Sequence, residues 1–149
     1  MLGRTIIVGD IHGCARELDD LLTYVGFGRA DRLYAVGDLV VRGLKPHGVL
    51  KRMRELGAVA VRGNHEDRLL RWKQSLGSGR ELVIGKVTRQ TAEALSPRDW
   101  EYLEAMPLWV DLREHGARGV RAGRLTGKPI EAQEQRTLLC GRTEGGGGR

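Results

Sequence analysis

Three short apolar segments in the first half of the chain each end in a glycine that is followed by a polar residue. The sequence reads Gly9-Asp10-Ile11-His12-Gly13 after the first segment, Gly37-Asp38 after the second and Gly63-Asn64-His65-Glu66 after the third. Helix-like stretches separate the segments, and this alternation favours an α/β fold with parallel strands. Because the carboxyl ends of parallel strands lie at one edge of a sheet, we expect these polar residues to converge on one cleft.

Hydrophobic periodicity predicts the order of the elements in the first half of the chain. It indicates strands at residues 4–9, 32–36 and 58–61, and helices at residues 14–25, 46–56 and 66–74. Strands and helices therefore alternate three times before residue 75. This order is typical of a sheet whose parallel strands are joined by helical crossovers.

The second half of the sequence has a weaker pattern. Ser96 followed by Pro97 is typical of a helix start, and this helix should end near Ala105 because Pro107 follows. Strands are expected at residues 108–112 and 119–122. After that the periodicity fades, and four consecutive glycines lie near the end. We therefore assign residues 1–125 to one domain and residues 126–149 to an irregular Gly-rich tail.

Composition limits the classes of protein that are compatible with this chain. Its 149 residues suit a single domain, and no apolar stretch is long enough to cross a bilayer or to act as a signal peptide. We therefore expect a cytoplasmic protein, with Cys14 and Cys140 as free thiols. A net charge of +6, carried mostly by arginine, is compatible with an anionic partner, but an arginine-rich solvated surface is the simpler explanation. Aromatic residues make up only 5%, and we expect no specific nucleic-acid partner and no membrane partner.

The polar residues that follow the glycines are of types that bind metal ions. Carboxylate and imidazole groups suit Mn, Fe or Zn. Two such ions about 3.5–4 Å apart could share a carboxylate and hold a phosphoryl group for in-line attack. Each segment alone is common in simple turns, and Arg42 alone is typical of a surface charge. Their combination at three successive strand ends favours a metal centre.

The segments GDIHG, GDLVVRG and GNHE resemble the motifs of the calcineurin-like metallophosphoesterases. More narrowly, they are similar to motifs of the phosphoprotein phosphatases and of the bacterial symmetrical diadenosine tetraphosphate hydrolases. The resemblance extends from Thr5 to Leu112. It implies a sandwich of two β-layers flanked by helices, of which this chain would hold the first layer and part of the second. It also implies two divalent metal ions, which would be Mn, Fe or Zn.

The resemblance also implies a role for each of the candidate metal ligands. Asp10 and His12 would hold the first ion, Asp38 would bridge both ions, and Asn64 would hold the second. The same resemblance implies that the reaction is phosphoester hydrolysis, with a metal-activated hydroxide as the nucleophile. On these grounds the first metal site is expected to be intact.

Two further residues would act on the substrate. The resemblance implies that His65 is the catalytic acid that protonates the leaving group and that Arg42 binds the substrate phosphate and assists catalysis. Asn64 would contact the substrate as well as the second ion. The substrate would be phosphorylated, and both a phosphoprotein and a dinucleoside polyphosphate fit this description.

The chain departs from the family pattern in its second half. The fourth family motif reads roughly valine-histidine-alanine-glycine, whereas this chain has Val120-Arg121-Ala122-Gly123. An arginine stays protonated and cannot bind a metal ion. A later glycine-histidine motif has no counterpart before Arg149, and we expect a C-terminally incomplete domain. The second metal site should therefore lack ligands, and Arg121 should repel its ion and compete for Asp38. His115 is expected at the surface.

Three functions remain open on these observations. The first is a metal-dependent phosphoester hydrolase of the serine/threonine protein phosphatase type, with very low or no turnover because the second metal site is impaired. The alternative is a symmetrical dinucleoside tetraphosphate hydrolase. A third reading is a non-catalytic remnant that binds a metal ion or phosphate.

Overall fold

The computed structural model describes residues 3–123 and 127–140. Five strands and six α-helices lie in this part of the chain. The strands are β1 (Thr5–Val8), β2 (Arg32–Ala35), β3 (Val59–Ala60), β4 (Trp109–Leu112) and β5 (Ala117–Val120). The helices are α1 (Ala15–Tyr24), α2 (Pro46–Glu55), α3 (Asn64–Ser75), α4 (Lys86–Ala94), α5 (Pro97–Ala105) and α6 (Gln135–Cys140). Short 3₁₀ turns occur at Arg113–His115 and Ile130–Ala132.

The first three strands form a parallel sheet in the order β1-β2-β3. Val8 pairs with Ala35, and Ala35 pairs with Ala60, and so the three strands end level with one another. Helices α1 and α2 connect consecutive strands, as the alternating pattern predicts. The loops that follow the strands therefore start from one edge of the sheet, which is where the polar segments lie.

The second sheet is an antiparallel hairpin of β4 and β5. Gly116, which has a φ of 57°, forms the turn together with a 3₁₀ segment. This turn fixes the position of β5, which begins two residues earlier than the sequence pattern predicts. Arg121 consequently lies directly after the strand. The presence of two separate sheets with flanking helices agrees with the predicted α/β class and with a chain that holds the first layer and part of the second.

Two helices lie in segments where the sequence pattern predicts none. Helix α4 buries only Thr91 and Ala92, and so it lacks the large apolar side chains from which the other helices were predicted. Helix α6 lies in the stretch expected to be irregular, and that expectation is wrong for residues 130–140. Leu138 and Leu139 of α6 are buried, and the Leu138 carbonyl accepts a hydrogen bond from the Ala122 backbone. The domain boundary at residue 125 stays a prediction, and the four glycines lie outside the described residues.

The hydrophobic core includes residues of the loop that carries Asp38. Leu39 and Val40, which directly follow Asp38 in the loop after β2, are fully buried. They belong to one cluster with side chains from α2, α3 and α5, including Leu50, Met53, Leu69 and Leu103. Burial of a side chain of this size contributes about 1.5–3 kcal/mol. The loop that carries Asp38 is therefore anchored by its own apolar residues.

In the described part of the chain, no helix is long and apolar enough to span a membrane.

Candidate metal centre

Backbone hydrogen bonds join the first two polar loops. The Ile11 and His12 N–H groups donate to the Asp38 carbonyl at 3.1 and 2.9 Å, and the Gly13 N–H donates to the Leu39 carbonyl at 2.8 Å. Three consecutive donors from one loop thus bind two carbonyls of the next. This arrangement fixes the position of the Asp10–His12 segment relative to Asp38.

Four residues of these loops have a left-handed backbone conformation although they are not glycine. Their φ angles are 48° at His12, 53° at Asp38, 70° at Val41 and 77° at Arg42. Such angles are uncommon for residues with a side chain, and most unfavourable for a β-branched residue such as Val41. Strained residues of this kind cost about 1–3 kcal/mol each and cluster at functional sites. Two of the four are predicted metal ligands.

Glycine is required at two points where the loops approach each other. A Cβ atom at Gly63 would lie 2.3 Å from Asp38 Oδ1, and one at Gly43 would lie 1.9 Å from the His12 carbonyl oxygen. Neither position has room for a side chain. The glycines of the polar segments thus permit close backbone contact between the loops.

Glu66 connects the second loop to the third. Its buried carboxylate accepts hydrogen bonds from the backbone of Asp38, Leu39, Val40 and Gly63 at 2.7–3.1 Å. Burial raises the pKa of Glu66, and the backbone donors offset part of that rise. The sequence shows Glu66 only as the last letter of GNHE, and no site role was predicted for it. An acidic residue in the first turn of a helix is usually explained by capping of that helix. The sequence therefore gives no indication that the Glu66 carboxylate also contacts the Asp38 loop.

The side chains after the three strands meet in one place. The ligand atoms of His12, Asp38 and His65 all lie within 4.8 Å of one another. Asp10 Oδ2 is 3.5 Å from His12 Nε2. In the amide orientation that satisfies its hydrogen bonds, Asn64 donates to the two Asp38 carboxylate oxygens at 3.2 and 3.3 Å. The structure thus brings together the four predicted metal ligands and His65.

This group of side chains is chemically suited to a divalent ion. It combines two carboxylates with imidazole nitrogens, which are ligands for Mn, Fe or Zn. The buried His12 Nδ1 atom has no hydrogen-bond partner among the described residues. Asp38 is 2% exposed, and a carboxylate so deeply buried requires a positive partner, either a bound ion or a basic side chain. The residues that are present therefore fit a first metal site.

The positive charge of Arg42 acts on the His65 imidazole. Burial lowers the pKa of His65, Asp38 opposes this effect, and His12, Arg42 and Arg121 add to it. Arg42 itself is exposed and forms no ion pair with any described residue. Its guanidinium is thus available to an anion that approaches His65 from solvent.

Arg121 reaches the carboxylates from the end of β5. Its Nη2 atom lies 2.5 Å from Asp38 Oδ2 and 3.5 Å from Asp10 Oδ2. The contact with Asp38 agrees with the competition expected from the sequence, and the contact with Asp10 adds a residue of the first metal site. His115, by contrast, is exposed and contacts Thr5 Oγ1 at 2.8 Å, away from the centre.

Two clefts extend from the centre along α6. The first has a volume of about 380 Å³ and is lined by Asn64, Arg121 and residues of α6. The second has a volume of about 470 Å³ and shares Arg136, Leu139 and Cys140 with the first. Its other walls are formed by residues of α3 and the loop before it, including Arg62 and Arg71. Together they form a surface that is rich in positive charge and leads away from the metal cluster.

Comparison with known proteins agrees with this geometry. A family model described as calcineurin-like phosphoesterase matches residues 3–136. A crystal structure that was provisionally assigned as a diadenosine tetraphosphatase has a TM-score of 0.81 and 34% identity. That match covers 93% of this chain and 59% of the other. A metallophosphoesterase from Sphaerobacter thermophilus has a TM-score of 0.59 and 25% identity, over 72% of this chain and 42% of the other.

Curated relatives are named symmetrical bis(5'-nucleosyl)-tetraphosphatases. The protein of Aromatoleum aromaticum is 37% identical over 143 residues, which is 90% of this chain and 51% of the relative. That of Photorhabdus laumondii is 48% identical over 69 residues, which is 44% of this chain and 25% of the relative. The chain thus spans between about a quarter and a half of the length of these relatives. With a family model that matches nearly its whole length, and with the family motifs at three adjoining strand ends, the chain belongs to the calcineurin-like phosphoesterases.

Proposed function

We propose that the protein is a metal-dependent hydrolase of dinucleoside polyphosphates, cleaving a tetraphosphate chain symmetrically into two nucleoside diphosphates. The observation that carries this proposal is the cluster of His12, Asp38 and His65 in a chain whose relatives are named for that reaction. The comparisons favour this substrate over the phosphoprotein that the motifs alone also suggested. The proposal includes manganese as the metal and a cytoplasmic location.

In this proposal the first divalent ion would be held by Asp10, His12 and Asp38. A second would have only Asp38 and Asn64 as ligands, and the expected turnover is therefore low. When bound, such ions supply Lewis-acid activation of the phosphoryl group and of water. Because Asp38 is buried and its loop is fixed by backbone hydrogen bonds, the backbone that carries this carboxylate is already in position for metal binding.

The remaining site residues act on the substrate. Arg42 is exposed beside His65, where its guanidinium can bind a phosphate in a bidentate manner. His65 is the proposed proton donor to the departing nucleoside diphosphate, and Asn64 is its neighbour at the start of α3. In this proposal all three loops provide metal ligands, while Arg42 and His65 provide the substrate contacts.

The clefts along α6 support an extended anionic substrate. A tetraphosphate with two nucleosides extends well beyond the atoms that react. The cleft beside Asn64 continues into a second cleft whose walls include Arg62, Arg71 and Arg136. Arginines match phosphate oxygens, and a volume of about 470 Å³ lies in the range of small-molecule sites. A phosphate and its nucleoside beyond the scissile bond would fit this surface.

Product analysis with diadenosine tetraphosphate tests the proposal. The protein is incubated with this substrate at saturating Mn²⁺, and the nucleotides are separated by ion-exchange chromatography. Water breaks one P–O bond of the chain, and the expected sole product is ADP, two molecules for each substrate. Asp10→Asn should abolish its formation, because it removes a charged ligand of the first ion.

Other outcomes of this assay would replace the proposal. Phosphate release from a phosphoserine peptide without ADP formation would support a protein phosphatase instead. Binding of Mn²⁺ and of diadenosine tetraphosphate with no product from either substrate would identify a non-catalytic remnant. AMP and ATP as products would contradict symmetrical cleavage.

A further inference from the structure

We infer that Arg121 is a tethered cation that competes with divalent metal ions for the carboxylates of the site. A single nitrogen atom, Arg121 Nη2, lies 2.5 Å from Asp38 Oδ2 and 3.5 Å from Asp10 Oδ2. The guanidinium thus bridges the two carboxylates that are proposed to hold the first ion. The inference rests on the proposed metal site and concerns how readily that site accepts an ion.

The Arg121 side chain is held in this position by packing as well as by charge. It is 24% exposed, and Asp38 is 2% exposed. A Cβ atom at Gly37 would lie 2.8 Å from Arg121 Cδ, which shows that the side chain lies directly against the backbone of the Asp38 loop. The arginine Nε atom is buried and has no hydrogen-bond partner among the described residues. In that part of the chain its charge is compensated by the two carboxylates.

A divalent ion would need the same carboxylates. Arginine remains protonated at every pH at which the protein is folded, and so a change of pH does not relieve the competition. The guanidinium must instead move, or a bound ion must remain beside a positive charge, and either event weakens metal binding. Arg121 follows the last residue of β5, and so its side chain can leave the site without disrupting the strand pairing. The protein would then take up its metal only when the free concentration of the ion is high.

Calorimetric titration with Mn²⁺ tests the competition. We compare the wild type with Arg121→Ala, with Arg121→Gln, which keeps a polar chain without the charge, and with Arg118→Ala. Arg118 is an arginine of the same hairpin, and it pairs with Asp111. Both Arg121 variants should bind Mn²⁺ at least about tenfold more tightly than the wild type, because a fixed positive charge beside the ion is removed. Arg118→Ala should stay within about twofold of the wild type.

Thermal unfolding separates competition from a purely structural role. Without metal, Arg121→Gln should unfold at a lower temperature than the wild type, since two close carboxylates lose their cation. At saturating Mn²⁺ it should recover, and its metal-induced increase in Tm should exceed that of the wild type. A structural role alone would lower the Tm equally with and without Mn²⁺.

Each outcome of the titration bears on a different statement. Equal or weaker Mn²⁺ binding by both Arg121 variants would overturn the competition while leaving the metal site in place. Absence of Mn²⁺ binding in all four proteins would refute the metal site, and the competition with it. Tighter binding by the variants, with no hydrolysis of diadenosine tetraphosphate, would support the competition and contradict the proposed substrate.

Discussion

At the residue scale, the geometry of the centre depends strongly on Glu66, which binds no substrate or metal in our proposal. One carboxylate oxygen accepts from Leu39 and Val40 at 2.7 and 3.1 Å, and the other accepts from Asp38 and Gly63 at 2.9 Å. A buried carboxylate with four donors has no unsatisfied charge and no freedom to move. The Glu66 carboxylate therefore fixes the backbone of the loop that contains Asp38.

Replacing Glu66 by glutamine should destabilise the protein by about 2–4 kcal/mol, because an amide NH₂ would face backbone donors at one of the two positions. The measurement is the free energy of unfolding in urea. Glu93→Gln, an exposed change on α4, is the matched control and should alter stability by less than about 0.5 kcal/mol. Equal stability of Glu66→Gln and the wild type would mean that these four hydrogen bonds do not fix the loop.

Individual residues also differ in how far the sequence could predict them. Asp10, His12, Asp38 and Asn64 were predictable because each follows a strand and a glycine in a family motif. The contact of Arg121 with Asp38 was expected from its place in the fourth motif. Its contact with Asp10 was not, because it depends on where the β4–β5 hairpin ends relative to the sheet edge.

At the element scale, one buried carboxylate joins α2 to α5. Asp99 Oδ2 lies 2.6 Å from His47 Nδ1, Asp99 Oδ1 lies 2.5 Å from an Arg54 nitrogen, and the Ser96 backbone donates to Oδ2 at 2.8 Å. Burial tends to raise the pKa of Asp99, but the bonds from His47, Arg54 and Ser96 prevail and lower it. The ion pair with Arg54 and the hydrogen bonds with His47 and Ser96 therefore stabilise the packing of the two helices.

Asp99→Asn should cost about 2–3 kcal/mol near neutral pH, below the range for a fully buried pair because both partners are partly exposed. Since folding lowers the pKa of Asp99, its contribution is complete above the ordinary value of 3.8 and is lost as the pH falls further. The difference in unfolding free energy between wild type and variant should thus shrink between about pH 5 and pH 2.5. Urea unfolding across this range provides the measurement.

Asp20→Asn serves as the control for this helix contact, because Asp20 and its partner Arg16 are both exposed. It should be neutral at every pH. A difference between Asp99→Asn and the wild type that stays constant down to about pH 2.5 would contradict a role for the ionised carboxylate.

Elements with strong periodicity were predictable to within one or two residues, and those without it were not. The Ser96-Pro97 start of α5 is confirmed, and Ser96 accepts the expected capping bond from Asp99. Helix α4 has no large buried apolar side chain, and so its periodicity was not recognised. Helix α6 has only six residues, and tertiary contacts such as the Ala122–Leu138 hydrogen bond stabilise it. Such contacts join residues too distant in sequence for a local pattern to indicate.

At the scale of the whole molecule, the chain carries the proposed metal centre on the edge of a three-stranded parallel sheet, and a second sheet is followed by Arg121. The α/β class and the family were predictable, because the motifs lie on the strands that define the fold. The choice of substrate was not, because the motifs resemble those of both the phosphoprotein phosphatases and the dinucleoside tetraphosphate hydrolases. Names of relatives and the arginine-rich clefts along α6 favour the dinucleoside polyphosphate.

The central claim is that the loops after β1 and β2 together form a metal site, and anomalous diffraction from crystals soaked in saturating Mn²⁺ tests it most directly. We predict an anomalous peak at the manganese edge that is coordinated by Asp10, His12 and Asp38, with Arg121 displaced from at least one carboxylate. The same soak of Asp10→Asn crystals should give a weaker peak or none. A peak elsewhere in the protein, or none beside these three residues in the wild type, would contradict the account.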